Sequence, residues 1–270
     1  MSITRIDVNL EEYEIGLSGA IPERVHWREP AMDRGILEFV SLFSAIVLKY
    51  GGRIVHGCHP TFTPVILRQA RLQAKDRSRK PLTLVMSELW LREYSQEAID
   101  AMTDVAEFVI TRKIGDKDAS DMETRSQSLS AMRRVLIDAQ NLTVAVGGLR
   151  HDGDGIVPGV AEEVSLAEQK NLPIFLVGGL GGATSDLTTR MTLGRLRNSL
   201  PVESNMRLFT TDDVAASVNM LFEHLAFSSE LPRSVFQPVR WNPWNRAIID
   251  HRDGSIDLVS SGFILDAAAS

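Results

Sequence analysis

Two short apolar runs flank an amphipathic run in residues 142–179, whose sequence is LTVAVGGLRHDGDGIVPGVAEEVSLAEQKNLPIFLVGG. The outer runs, 142–148 and 173–178, have the length and composition of buried strands. Apolar residues of the central run, 160–170, recur at helical spacing. This succession is typical of a βαβ unit, in which a helix connects two parallel strands.

The same alternation extends from residue 14 to about residue 225. It predicts a mostly parallel sheet flanked by helices, an α/β fold of Rossmann-like type. The Gly51-Gly52 pair is a typical stop signal for the helix before it. The predicted strands are 14–20, 53–57, 82–87, 107–111, 142–148 and 173–178, and the predicted helices are 37–50, 62–75, 95–105, 121–140, 160–170, 185–196 and 212–227.

The C-terminal part differs in composition. Residues 231–245, LPRSVFQPVRWNPWN, have no helical period, and two alternating apolar runs then surround Asp253-Gly254, a dipeptide suited to a β-hairpin turn. We therefore expect a domain at 1–228 and a C-terminal arm containing a hairpin at 229–270. The arm packs on its own domain, contacts a neighbouring subunit or covers a pocket.

Composition narrows the function classes. The chain has 270 residues with 29 basic and 35 acidic side chains, a net charge of −6, and this acidic balance disfavours broad phosphate-backbone binding. The single cysteine, Cys58, cannot form an internal disulfide or a zinc site of several thiolates. The N-terminal residues contain no apolar signal stretch, and Phe39 to Leu48 is too short to span a membrane. A cytoplasmic protein is expected.

Small residues follow four of the predicted strands. They are Ser18-Gly19-Ala20, the GCHPT segment at 57–61, Gly147-Gly148 and the glycines at 178–182. In open parallel sheets, ligands bind beyond the carboxyl ends of the strands, where glycine lets the backbone approach a phosphate closely. The pattern favours a phosphate-bearing ligand of nucleotide size.

Charged residues concentrate between positions 125 and 163. Arg125 and Arg133 are eight residues apart, so they lie on nearly the same face of the predicted helix. Glu162 and Glu163 fall in the first turn of the next one. The arginines either bind phosphate or form a solvated helix face. The carboxylates either interact with the helix dipole or bind ribose and act as a general acid or base.

Other signals are weaker. His56, Cys58 and His59 could bind a metal, but no second ligand cluster accompanies them. GLSGA at 16–20 lacks the last glycine of a nucleophile elbow, and neither a GxGxxG fingerprint nor a P-loop is present. The basic run from Arg68 to Lys80 is a candidate surface for single-stranded DNA, or a solvated helix end.

Several of these segments together carry a family resemblance. GLSGAIPER at 16–24, RSQSLSAMR at 125–133, VAVGG at 144–148 and PGVAEEVSLAEQKNLPIFLVGG at 158–179 are similar to the SLOG superfamily of Rossmann-like nucleotide-binding domains. That superfamily includes the LOG phosphoribohydrolases, DprA and the N-terminal regions of TRPM channels. The sequence most resembles its TPALS branch, which is associated with TIR and nucleoside-phosphorylase-like partners in prokaryotic conflict systems. The likeness covers about residues 13–180.

The resemblance implies a binding site and a function. It implies a domain that binds a nucleotide-derived molecule and signals to an effector such as a TIR NAD-cleaving protein in antiviral defence, as a homo-oligomer and without a cofactor. The alternative is a LOG-type N-glycoside hydrolase, with Glu163 as acid/base and Arg133 positioning the phosphate or stabilising the leaving group. The implied ligand-binding residues are Ser18, Gly19, Arg24, Gly57, His59, Thr61, Arg125, Gly147, Gly148, Gly159 and Glu162.

One departure bears on catalysis. LOG enzymes carry a PGGxGTxxE-type motif, whose glycines and threonine bind phosphate. Here Gly147-Gly148 and Gly159 are separated in the sequence, and Val160 stands where the threonine would be. The resemblance therefore transfers ligand binding more directly than it transfers the reaction.

Overall fold

A computed structural model describes residues 8–24, 31–73, 79–151 and 157–227, together with the backbone of three short strands between 245 and 262. Six parallel strands form the sheet in the spatial order β6-β5-β1-β2-β3-β4. They are β1 (Glu14–Ala20), β2 (Arg53–His56), β3 (Leu82–Ser87), β4 (Ala106–Thr111), β5 (Leu142–Gly147) and β6 (Ile174–Val177). The expected Rossmann-like α/β fold is confirmed.

The C-terminal strands extend this sheet. β7 (Asn245–Ile249) lies beside β4, β8 (Ile256–Leu258) pairs antiparallel with β7, and β9 (Ser261–Gly262) pairs with β7 in parallel. The antiparallel β7/β8 pair confirms the predicted hairpin. Its Asp253-Gly254 turn lies outside the described residues, and the domain boundary near residue 228 stays a prediction.

Nine α-helices are present in the described part of the chain. They are α1 (Ala31–Lys49), α2 (Thr63–Gln73), α3 (Glu88–Leu91), α4 (Gln96–Thr103), α5 (Met122–Asp138), α6 (Gly159–Gln169), α7 (Gly182–Thr188), α8 (Val202–Thr210) and α9 (Val214–Phe227). Serine and aspartate side chains cap several of them; for example, Ser95 accepts from the Ala98 N–H and Asp121 accepts from the Thr124 N–H. Gly51 ends α1 with a φ of +97°, a conformation that favours glycine.

Apolar side chains cover both faces of the sheet. Helices α1, α2 and α9 pack on one face around Phe39 and Phe43. Helix α5 covers the other face, where Met132 and Val135 belong to the same apolar cluster as Val85 of β3. Burial on both faces explains why the strands are continuous apolar runs without alternation.

A buried ion cluster lies at the amino ends of the strands. The Arg53 guanidinium is 2.8 Å from Glu14 of β1 and 3.0 Å from Glu107 of β4, and it donates to the Thr83 hydroxyl of β3. Arg53 is only 3% exposed. The cluster therefore links four strands at the end opposite to the predicted ligand site.

Candidate functional site

A cavity of about 490 Å³ lies at the carboxyl ends of β1, β2 and β3, between these strands and helices α5 and α6. This is the edge at which ligands of open parallel sheets bind, next to the switch in strand order between β1 and β5. Its volume lies within the usual range for small-molecule sites. Eight of the residues proposed from the sequence line it, namely Ser18, Gly19, Gly57, His59, Arg125, Arg133, Gly159 and Glu163.

The α5/α6 side of the cavity carries a compact charge cluster. Arg133 of α5 donates from one Nη to the Glu162 carboxylate at 2.5 Å, and its Nε lies 3.7 Å from Glu163. Arg133 is 9% exposed. Gly159 makes room for this arginine, because a Cβ at that position would lie 2.7 Å from an Arg133 Nη. Glu162 thus faces Arg133 and is outside the cavity lining.

Glu163 is the mostly buried carboxylate of the cavity, with a side chain that is 14% exposed. Burial raises its pKa, while Arg133 and the Ser18 hydroxyl act in the opposite direction and Glu162 adds to the increase. A carboxyl group whose pKa is shifted towards neutrality can act as a general acid. The Ser18 Oγ is itself buried and lies beside this carboxyl group in the cavity lining, so a ligand that reached one of these groups would meet both.

The first loop begins in β1. Gly19 has a φ of +153°, and a Cβ there would lie 2.0 Å from the Val146 carbonyl oxygen of β5. The packing of β1 against β5 therefore requires glycine at position 19, which also lines the cavity. Arg24, predicted for the same loop, is exposed and does not line the cavity; its charge lowers the pKa of Asp33, although burial of that carboxyl raises it overall.

The second loop follows β2 and contains two ordered histidines. His56 donates from Nδ1 to the Leu17 carbonyl at 2.9 Å and accepts at Nε2 from the His59 N–H. This pairing requires the neutral ring, and burial accordingly lowers the pKa of His56. His59 is partly buried beside it, and this burial lowers the pKa of His59 to about 4.

Thr61 acts behind His59. The Thr61 hydroxyl is 2.9 Å from the Nδ1 of His59 and accepts from the Ile21 N–H. Since that hydroxyl already accepts, it can donate its proton to Nδ1 and leave the Nε2–H of neutral His59 as a donor for the cavity. Thr61 was predicted to line the site, and the structure instead places it behind His59, outside the cavity lining.

Gly147 and Gly148 are absent from the cavity lining. Both have positive φ angles, +64° and +98°. The Gly148 N–H donates to the Ala20 carbonyl at 2.7 Å, and a Cβ at Gly148 would lie 2.5 Å from the Val160 side chain. These glycines join β5 tightly to β1 and α6, so a substitution there would disturb packing before it reached a ligand.

A comparison with known families agrees with this architecture. The SLOG cluster2 family model matches residues 72–215, more than half of the chain. The chain belongs to the SLOG cluster2 family. The match begins and ends later than the stretch 13–180 on which the resemblance was drawn, and it includes α5, α6 and the loop between them.

Among solved structures, the SLOG chain is similar to the X-ray structure of TM1055, a structural-genomics target, with 14% sequence identity and a TM-score of 0.44. The alignment covers 78% of this chain and 99% of that one. No curated protein matches the chain.

Sequence reasoning missed the aromatic wall of the SLOG cavity. Trp90 in α3 and Tyr94 just beyond it line the cavity, and both pack against the main apolar core. Burial raises the pKa of Tyr94. The signal was present in the sequence, because ELWLREY at 88–94 directly follows the strand at 82–87 and so starts at the ligand-binding edge.

His151 was also missed, and an acidic residue of the first loop holds its segment in place. Burial on its own would raise the pKa of Glu23, but the carboxylate accepts from the Arg150 and His151 N–H groups, and these bonds hold its pKa below the usual value. Arg150 in turn forms a two-point ion pair with Asp186. These contacts therefore fix the position of Arg150 and His151, the first part of the loop after β5, beside the cavity.

The weaker signals find no matching arrangement. Within the ranges that the structure describes, no group of three or more His, Cys, Asp or Glu side chains is arranged for a metal ion. In the basic run, Arg71 pairs with Asp104 and Arg79 pairs with Glu14, whereas Lys75 and Arg77 lie outside the described residues. No described helix is long and apolar enough to cross a membrane.

Proposed function

We propose that this chain binds a nucleotide-derived small molecule in the cavity at the carboxyl ends of β1–β3. The observation that carries the proposal is the lining itself, in which an aromatic wall that follows β3 and two arginines of α5 surround one cavity of about 490 Å³. Aromatic rings stack on nucleobases, and guanidinium groups bind phosphate. Membership of the SLOG family supports the same ligand class.

In this proposal the base lies against Trp90 and Tyr94, and the ribose lies near Ser18 and Glu163. Two polar groups of the lining support that placement, because the buried Ser18 hydroxyl and the Glu163 carboxyl group lie side by side in the cavity. A hydroxyl group and a carboxyl group can both exchange hydrogen bonds with the hydroxyl groups of a ribose.

We further propose that the bound state is passed to a separate effector. The resemblance to the TPALS branch supports a TIR-domain NAD-cleaving protein as that effector, in prokaryotic antiviral defence. The proposed form is a cytoplasmic homo-oligomer, with the arm at 229–270 as an interface or a lid. Light scattering of the full chain and of a chain truncated after residue 228 tests the arm as an interface. An interface arm predicts fewer chains per particle after truncation.

A second candidate is hydrolysis of an N-glycosidic bond, and the raised pKa of Glu163 favours it. In that reaction water attacks the anomeric carbon, the bond from this carbon to the base nitrogen breaks, and protonated Glu163 donates a proton to the leaving base. The attacking water loses its proton to solvent or back to the Glu163 carboxylate. Val160, at the position of the LOG threonine, removes one hydroxyl that would bind phosphate.

One experiment separates the two functions. Purified protein is mixed with NAD and the four ribonucleoside 5′-monophosphates, binding is measured by calorimetry, and free base is measured by chromatography. Binding without base release supports the sensor and removes the hydrolase. Base release that is lost in Glu163→Gln while binding persists supports the hydrolase. Absence of binding to every compound would contradict both.

A further inference from the structure

We propose that Arg125, and not Arg133, is the residue that binds the phosphate of the ligand. This inference rests on the proposed function of the cavity and assigns its anionic subsite. The spacing of the two arginines on α5 does not distinguish them, since both lie on the same face and both line the cavity. Their ionic surroundings do distinguish them.

The charge of Arg133 is already compensated within the protein. Glu162 accepts its Nη donor at 2.5 Å, and Glu163 lies 3.7 Å from its Nε. A phosphate placed at Arg133 would lie close to two carboxylates, and like charges repel strongly at such distances in a buried site. Arg133 therefore belongs with Glu162 and Glu163.

Arg125 has no such compensation. It makes no ion pair with any described residue, and its Nε is buried without a hydrogen-bond partner. The acidic side chains near it on the chain are engaged elsewhere, because Asp121 binds Lys117 and caps the Thr124 N–H, and Glu123 accepts from Gln127. An uncompensated guanidinium in a cavity wall is a site for an anion.

Glu93, the other carboxylate of the lining besides Glu163, does not compensate the charge of Arg125. Glu93 is exposed, and no ion pair joins it to Arg125. The ring nitrogens of His56 and His59 stay neutral near pH 7, because burial lowers the pKa of both. Arg125 is thus the lining cation without an acidic partner in the described structure.

The test compares nucleotides with their nucleosides, so that only the phosphate differs. Affinities for AMP, GMP, CMP and UMP and for the four nucleosides are measured in the full-length wild type, Arg125→Gln, Arg125→Lys and Arg133→Gln. Arg134→Gln is the matched control, since Arg134 is exposed on the same helix. A thermal melt of each variant verifies folding.

We expect the wild type to prefer a nucleotide over its nucleoside, and Arg125→Gln to reduce that preference about tenfold or more, the usual effect of a charge-assisted hydrogen bond. Arg125→Lys should retain part of it, and Arg133→Gln should change nucleotide and nucleoside binding alike. An unchanged preference in Arg125→Gln, or loss of the preference only in Arg133→Gln, would overturn the assignment. If the wild type binds neither class, the proposed function itself fails.

Discussion

The contact between Glu162 and Arg133 gives the most quantitative prediction, because both side chains are mostly buried, at 20% and 11% exposed. Glu162→Ala removes a charge-assisted hydrogen bond of 2.5 Å and leaves Arg133 with Glu163 at 3.7 Å. Hydrogen bonds to charged groups contribute about 1.5–3 kcal/mol. For a domain of this size, the loss corresponds to a Tm decrease of about 3–12 °C.

Glu168→Ala is the matched control on the same helix. Glu168 forms an ion pair with Arg195, which is half exposed, and surface pairs of this kind contribute little to stability. The two alanine variants have the same intrinsic helix propensity, but Glu162 is in the first turn and Glu168 in the last, where the helix dipole acts in opposite directions by about 0.3–1 kcal/mol each. A difference larger than this dipole effect reports the Arg133 contact. Thermal melts at pH 7 without ligand supply the measurement. If Glu162→Ala is no less stable than Glu168→Ala, the assignment of Glu162 as the residue that positions Arg133 is wrong.

Three further predictions concern Glu163, Arg53 and Trp90. Burial raises the pKa of Glu163, so the native state loses stability as the pH rises above the unfolded-state pKa of about 4.3. Glu163→Gln should therefore melt at a higher temperature than the wild type at pH 8 and at the same temperature at pH 4, and each unit of pKa difference corresponds to about 1.4 kcal/mol. Equal melting temperatures at both pH values would count against the raised pKa. Arg53→Met removes the buried cation that Glu14 and Glu107 share and leaves Glu14 with Arg79, so it should cost about 3–5 kcal/mol in urea unfolding. A loss below about 1 kcal/mol, typical of a surface pair, would show that the cluster does not stabilise the sheet. Trp90→Ala should weaken nucleotide binding by about 1–3 kcal/mol in calorimetry, whereas Trp90→Phe keeps a stacking ring; similar losses in both variants would argue against stacking.

The strands were predictable because each is buried on both faces. A strand of that kind is a continuous apolar run, and LTLVMS at 82–87 and EIGLSGA at 14–20 have the predicted bounds. Helix ends were predictable where a local signal exists, as at Ser95 and Gly51. Helix α3, with only Glu88–Leu91, and helix α8 were missed, since α3 is too short to show a period and α8 was not recognised beside the loop before it.

The site was predictable only in part. The strand-edge rule located the cavity, because it depends on topology, which the alternating pattern specifies. The roles of Arg125 and Arg133 were not separable, because their difference depends on contacts with a helix that starts 26 residues after Arg133. The glycines at 147 and 148 looked like phosphate binders, but their N–H and Cβ positions face Ala20 and Val160.

Native mass spectrometry tests the central claim most directly. The wild type and an Arg125→Gln/Trp90→Ala double variant are each incubated with an equal mixture of NAD, nucleotides and nucleosides, and the bound species is identified after denaturation. The account predicts one bound phosphate-bearing nucleotide compound per wild-type chain and little or none in the double variant. Equal occupancy of both proteins, or a wild type that retains no nucleotide, would contradict it.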